Sequence, residues 1–263
     1  MISVGGANHN STDWTRMVSE DSTIESFVNN SLQFVRDNGF DGIDLNWMYP
    51  DQCSSQENCS RETNVARYQA LLERFRQAID AANNNSEDEL LISATVGPLR
   101  VGESYQPEHM TDNLDFVNLM SYDMHGSWEP QTGHHALALN IPSDETTNIK
   151  WILDNWIELG ANPLKLHLGK FIIRFIYRIH LLLETSYKLC IPGLATFGRS
   201  FTLANASDTD LHAPTAVSYG DYPGLPGAFT RTPGFLRYIL QAFSFNLTQR
   251  FQLLRSLRKA RKR

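Results

Sequence analysis

The chain has 263 residues, of which 41% are hydrophobic and 20% are charged, an ordinary composition for a globular protein. This length suits one α/β barrel or two smaller domains around a buried core. The formal net charge of -6 and the pI near 5.7 argue against general nucleic-acid binding, which usually requires a basic surface. The basic run at 255–263 is terminal, and we interpret it as a solvated or artefactual tail rather than a nuclear-targeting or nucleic-acid patch.

The N-terminal residues and the glycosylation sequons give different indications about location. Met1 leads directly into a short strand-like run, so no signal peptide is visible and the sequence is expected to begin inside a domain. Six N-x-[ST] acceptors favour a secreted, extracellular protein. They are Asn10, Asn29, Asn58, Asn84, Asn205 and Asn246.

The three cysteines allow at most one internal disulfide. Cys53 and Cys59 bracket a polar loop in which a short bridge would form easily, and a free pair is the alternative. Their spacing, without histidine partners, does not indicate zinc. We expect no metal and no organic cofactor.

Short apolar runs alternate with helical periods, which is typical of repeated strand-helix units around a parallel sheet. The predicted strands are 1–6, 40–46, 90–96, 115–122 and one that opens at 164–168. The predicted helices are 21–37, 63–82 and 146–159. The apolar stripe of the first helix contains Ile24, Phe27, Val28 and Val35, and that of the second contains Val65, Tyr68, Leu72, Phe75 and Ile79. Five strands are fewer than the eight of a closed (β/α)₈ barrel.

The stretch 170–190 differs in composition from its surroundings, with clustered Ile, Phe and Leu interrupted by Arg174, Arg178 and His180. It is too short and too charged to span a bilayer, and we expect no membrane partner. A buried or membrane-skimming helix is one interpretation of it. A spurious insertion is the interpretation we favour.

The segment 40–50, FDGIDLNWMYP, joins a predicted strand to polar residues. Because side chains alternate along a strand, Asp44, Asn46 and Met48 share one face. Isolated inward-facing acids are costly in a sheet, so this array indicates a functional site. In parallel barrels the carboxyl ends of the strands carry the reacting groups.

This segment resembles the signature D-x-x-D-x-D-x-E of family 18 glycoside hydrolases, the chitinase family. In this family the signature stands in the wider context F-D-G-x-D-x-D-W-E-Y-P. Asp41, Asp44 and Tyr49 agree with that context, whereas Asn46 replaces an aspartate and Met48 replaces the glutamate. The resemblance implies that the glutamate would protonate the glycosidic oxygen while the substrate's own N-acetyl oxygen attacks. Methionine carries no transferable proton, and losing a positioned general acid costs about 10²–10⁴ in rate. Asn46 also lacks the charge that would help a cationic intermediate.

Three other segments resemble the same family. In MISVGGANHN, Gly5 and Gly6 fit while Ala7 replaces an aromatic platform. The segment 114–129 matches closely, and IPGLATFGRSFTL from 191 looks like the continuation of the strand PLKLHLG that ends at 169. By this resemblance the catalytic positions are Asp44, Asn46, Met48 and Tyr122, and the substrate-binding residues are Trp47, Tyr49, Met120, Asp123, Trp128, Phe197 and Arg199.

The family comparison predicts an incomplete (β/α)₈ barrel at 1–200, interrupted by the insertion 170–190. It also predicts the start of a small α+β insertion domain at 201–238 and an atypical basic tail at 239–263. Three functional hypotheses remain open: an inactive protein that binds chitin or N-acetylglucosamine oligosaccharides, a weak chitinase that uses another acid, and a mispredicted fragment without function. The oligomeric state is left open.

Overall fold

The computed structural model describes residues 1–52, 60–84, 89–136, 148–171, 193–195, 197–205, 207–216 and 235–237. The chain divides into two compact units. The first unit comprises Met1–His125 and Gly133–Ala195, and the second comprises Gly126–Thr132 and Thr196–Arg263.

The first unit contains a six-stranded parallel sheet whose strands follow one another in chain order. The strands are β1 (Ile2–Gly5), β2 (Gly42–Asn46), β3 (Leu91–Val96), β4 (Phe116–Leu119), β5 (Leu166–Phe171) and β6 (Gly193–Ala195). The register places Asp44 of β2 between Ser3 of β1 and Ser93 of β3. This register decides which side chains meet at the candidate site.

Helices follow the first four strands, as expected for parallel strands joined by crossovers. They are α1 (Ser11–Val18), α2 (Asp21–Asp37), α3 (Arg61–Asn83), α4 (Pro107–Asn113) and α5 (Ile149–Glu158). The helix predicted at 21–37 is confirmed at both ends, and Gly39 beyond it has a φ of 66°. Of the helix predicted at 146–159, residues 146 and 147 lie outside the described residues. The sequence prediction missed α1 and α4.

Alternation along β2 separates the core from the polar face of the sheet. Ile43, Leu45 and Trp47 are at most 1% exposed and belong to the hydrophobic core. The helices contribute Ile24 and Val28 from α2 to the same core. On α3 the buried stripe includes the predicted Tyr68, Leu72, Phe75 and Ile79. The prediction for Val65 is only partly correct, because it is half-buried and the neighbouring Asn64 is buried instead.

The incomplete (β/α)₈ barrel predicted from the sequence is confirmed, with six parallel strands in the described part of the chain. The count of five was too low. In this chain β5 and the segment from 191 pair side by side, with Gly169 opposite Gly193. That the two stretches are halves of one family strand separated by an insertion stays a prediction. Strand β6 has only three residues and follows a stretch of unusual composition. The sequence therefore contained no periodic pattern from which the pairing of β6 with β5 could be predicted.

The second unit contains an antiparallel pair of short strands, β7 (Phe197–Arg199) and β8 (Phe235–Arg237). Isolated bridges join Gln131 to Pro214 and Leu203 to Thr215. The insertion domain at 201–238 stays a prediction. Residues 172–190, the tail 239–263 and the Cys53–Cys59 pair lie outside the described residues. Among the described helices, none is long and apolar enough to cross a membrane.

Candidate functional site

Asp44 is the centre of a polar cluster on the face of β2 opposite the core. Its Oδ2 accepts a hydrogen bond from Ser3 Oγ at 2.6 Å, and its Oδ1 accepts one from Ser93 Oγ at 2.7 Å. Thr95 Oγ1 donates at 2.9–3.0 Å, and Asn118 Nδ2 approaches to 3.4 Å. Asp44 is only 7% exposed. Strands β1, β3 and β4 thus supply the donors that offset the cost of burying this carboxylate.

Asn46 and Met48 continue this face toward the carboxyl end of β2, and both are half-buried. The backbone oxygen of Asn46 accepts a hydrogen bond from the amide of Gly6 at 2.9 Å. Gly5, at φ 104°, permits this close approach, because a Cβ there would lie 2.2 Å from the same oxygen. The side-chain Oδ1 of Asn46 is buried without a hydrogen-bond partner among the described residues. An amide and a thioether therefore follow Asp44 along this face.

Tyr49 follows Met48 and packs between the ends of β2 and β3. A Cβ added to Gly97 would lie 2.4 Å from the hydroxyl of Tyr49, so glycine makes room for this ring. The Arg100 guanidinium lies 5.5 Å from the ring centroid. Burial raises the pKa of Tyr49, and the negative charges of Asp123 and Asp51 add to the increase while Arg100 opposes it. The influence of Asp123 links this tyrosine electrostatically to the end of β4.

Met120, Tyr122 and Asp123 come directly after β4, and all three are half-buried. The amide of Met120 donates to the carbonyl of Val96 at 3.0 Å, which extends the sheet by one residue. Burial raises the pKa of Tyr122, and the charge of Asp123 raises it further. Asp123 has a φ of 62°, in the left-handed region that non-glycine residues rarely adopt. Within the first unit, the structure thus brings Tyr49, Tyr122 and Asp123 into one neighbourhood.

Trp47 does not fit the predicted role of a sugar platform. It is 0% exposed, stacks on Trp14 with centroids 5.4 Å apart, and meets Tyr68 edge-on at 5.6 Å. Its Nε1 donates to Ser11 Oγ at 2.7 Å. A ring without exposed surface cannot stack on a sugar, so the binding role predicted for Trp47 is corrected to a core role.

The remaining predicted residues belong to the second unit. Trp128 is 47% exposed, and the Arg199 guanidinium lies 5.0 Å from the centroid of its ring. A Cβ at Gly126 would lie 2.2 Å from the Trp128 ring, so the turn must be glycine for the ring to fold back. The backbone of Phe197 lies in β7, and its side chain is outside the described residues. Trp128 therefore keeps the exposed aromatic surface that Trp47 lacks.

The family profile of glycosyl hydrolases family 18 matches residues 1–248. The chain belongs to glycosyl hydrolases family 18. It is 32% identical over 240 residues to the oviduct-specific glycoprotein of Ovis aries and 31% identical over 244 residues to chitotriosidase-1 of Mus musculus. Each alignment covers 90% of this chain, but only 38% and 46% of the respective relative. The family 18 chain thus spans less than half the length of these relatives.

Solved structures give the same assignment. A structure of YKL-39 with chitooligosaccharides superposes with a TM-score of 0.71 at 29% identity, covering 90% of this chain and 57% of that one. Human YKL-39 is described as a pseudo-chitinase with retained chitooligosaccharide binding properties. A class V chitinase from Nicotiana tobaccum superposes with a TM-score of 0.68 at 28% identity, with coverages of 90% and 57%. This family 18 chain is thus similar both to chitinases and to a pseudo-chitinase.

Several polar residues of the family 18 chain were not singled out from the sequence. Ser3, Ser93, Thr95 and Asn118 surround Asp44, and His167 of β5 lies opposite Asn118 in the register. Polar residues at alternate positions of otherwise apolar strands are the signal that would have found them. Within the described residues, no group of three or more His, Cys, Asp or Glu side chains is placed to hold a metal.

We predict that His167 makes the stability of the first unit depend on pH. Its ring stacks on Phe116 at 4.5 Å, and burial lowers the pKa of His167 below its ordinary value of 6.5. The unfolded chain therefore binds a proton at His167 more readily than the folded chain does. The contribution of His167 to the free energy of unfolding is highest above pH 6.5 and decreases as the pH falls below that value. The His167→Phe variant should show a smaller loss between pH 7 and pH 5 in urea titrations. An unchanged pH dependence in this variant would contradict the prediction.

Proposed function

We propose that this chain is a chitinase-like protein that binds chitin or N-acetylglucosamine oligosaccharides without efficient hydrolysis. The proposal rests mainly on two residues of one segment, the firmly held Asp44 within β2 and the methionine at position 48 just after it. The carboxylate of Asp44 is held by four side chains. The motif resemblance implies that Met48 stands at the position of the family's acid. The polar contacts of Asp44 that join the strands are present, but position 48 carries no acidic side chain that could protonate a leaving group.

The binding part of the proposal is supported by the neighbourhood of Tyr49, Tyr122 and Asp123. These residues offer two phenol groups and a carboxylate just after the carboxyl ends of β2 and β4, which lie on either side of β3 in the sheet. Parallel barrels carry their sites at this end of the strands. Aromatic surfaces with a few polar groups suffice to orient a sugar. The description of human YKL-39 as a pseudo-chitinase that retains chitooligosaccharide binding supports the proposal of binding without efficient hydrolysis. Within the second unit, the exposed ring of Trp128 is proposed by itself as a surface on which a sugar could stack.

The binding proposal predicts saturable retention of the expressed chain on chitin beads. Asp123→Ala should weaken this retention about tenfold, because a half-buried carboxylate that meets sugar hydroxyl groups contributes charge-assisted hydrogen bonds. Glu25→Ala on the exposed side of α2 is the matched carboxylate control and should bind like the wild type. Binding is measured as a depletion isotherm, with circular dichroism melting of every variant. A folded wild type that is not retained would refute the proposal and favour a fragment without function.

The same preparations test the alternative that the chain is a weak chitinase. Release of a fluorophore from a chitobioside should be equal in the wild type and in Tyr122→Phe, because neither has the family's acid. A wild-type rate clearly above that of Tyr122→Phe would support residual hydrolysis through another acid.

We also propose that the protein is secreted. Four of the six sequon asparagines lie in the described residues and are exposed, namely Asn10, Asn29, Asn84 and Asn205. Exposed acceptors are accessible to glycosylation in the secretory pathway. An unchanged gel mobility after enzymatic deglycosylation of protein expressed with a secretion leader would count against this proposal.

A further inference from the structure

We infer that His135 is a positioning residue for Asp123, and that the segment 133–135 fixes the sugar-binding end of β4. This inference rests on the proposed function, because it assigns a support to a residue that would contact the sugar. His135 itself is not proposed to touch the ligand.

The segment 133–135 contacts the turn after β4 at one backbone amide and at one side-chain ring. The amide of Met124 donates to the carbonyl of His135 at 3.0 Å, which ties the residue after Asp123 to this segment. A Cβ at Gly133 would lie 2.5 Å from His125 Cγ, so the backbone of Gly133 packs directly against that ring. Met124 is 4% exposed and belongs to the core. The turn is therefore held at Met124 and at His125.

The side chain of His135 adds a contact to Asp123 itself. Its Nδ1 lies 3.8 Å from Asp123 Oδ1, and the two side chains are 13% and 30% exposed. At this distance a small movement suffices for a hydrogen bond, and the partial burial of both groups reduces screening by solvent. Asp123 adopts a φ of 62°, in the left-handed region, which aspartate enters more readily than most residues with a Cβ but at a cost in free energy. The contact with His135 therefore restrains the Asp123 side chain, while the surrounding turn restrains the Asp123 backbone.

Loss of this contact is expected to act on binding rather than on folding. Without His135, the Asp123 carboxylate would sample more rotamers and would lose entropy when a sugar fixes it. We expect His135→Leu to weaken chitotetraose binding about fivefold, within the range measured for coupled neighbouring side chains. His135→Gln keeps a donor that can reach Asp123 and should stay within about twofold of the wild type. The exposed neighbour His134 provides the matched control, His134→Leu, which should have no effect.

The experiment measures the dissociation constant of chitotetraose by calorimetry for the wild type and these three variants. His135→Leu is then combined with Asp123→Asn, and the leucine substitution should change affinity less than twofold in that background. Equal losses in His135→Gln and His135→Leu would overturn the inference, as would wild-type affinity in His135→Leu. If the folded wild type itself binds no chitotetraose, the proposed function fails and the inference fails with it. If the wild type binds and His135→Leu binds equally well, only the inference fails.

Discussion

The Met48→Glu variant is expected to release a fluorophore from a chitobioside no faster than about threefold above the wild type, far below the 10²–10⁴ that a positioned general acid can supply. The glutamate would restore a proton donor, but its neighbour on the same face is the amide of Asn46. Cleavage through the substrate's N-acetyl oxygen generates positive charge. The amide cannot stabilise that charge as a carboxylate would.

The double variant Asn46→Asp/Met48→Glu separates these two contributions. We expect it to exceed Met48→Glu by about 10², because the second carboxylate supplies the missing electrostatic stabilisation. Met48→Gln matches the glutamate in size without its acidity and serves as the control for altered packing. Initial rates at several substrate concentrations give kcat/KM for each variant. Rapid hydrolysis of chitin by Met48→Glu alone would contradict this account of Asn46.

Long periodic segments were the part of the fold that the sequence predicted well. The stripe of α2 runs over 17 residues, and its ends at Asp21 and Asp37 agree with the prediction. In contrast, α1 and α4 contain 8 and 7 residues, which is barely two turns and too short for a periodic pattern to stand out. Their start signals were present, since Asn10 caps α1 and Pro107 begins α4. Local capping chemistry, not hydrophobic periodicity, would have revealed these two helices.

The candidate site shows a different limit of sequence reasoning. Alternation correctly placed Asp44 on the inner face, but the partners that hold it depend on the register between strands. Ser93 lies opposite Asp44 only because Gly42 pairs with Leu91. A shift of one residue would turn Ser93 away from Asp44, and no local pattern in β3 specifies that register. The hydroxyl groups around Asp44 could therefore be named only from the folded sheet.

The family motif also suggested a role for Trp47 that the geometry of its own strand excludes. The alternation that places Asp44 on the inner face places Ile43, Leu45 and Trp47 together on the helix-covered face. Motif similarity and strand periodicity gave different answers for this residue, and periodicity was the better guide. Stability and binding measurements on Trp47 variants can distinguish the two roles.

We expect Trp47→Ala to lower the free energy of unfolding of the first unit by about 3–5 kcal/mol, as for other large-to-small substitutions at buried aromatic positions. The substitution removes the stack on Trp14 and the edge contact with Tyr68. It also removes the donor to Ser11. Urea titrations followed by far-ultraviolet circular dichroism measure the change. Binding to chitin beads, corrected for the folded fraction, should remain unchanged.

Two variants make this prediction decisive. Trp47→Phe keeps an aromatic ring but loses the hydrogen bond to Ser11 and part of the stack, so it should fold with a loss of about 1–2 kcal/mol even if Trp47→Ala does not fold. Trp128→Ala is the matched tryptophan control, because that ring is 47% exposed and its removal should cost about 1 kcal/mol or less. If Trp47→Phe keeps wild-type stability but loses retention on chitin, Trp47 contacts sugar in a conformation that differs from this core packing.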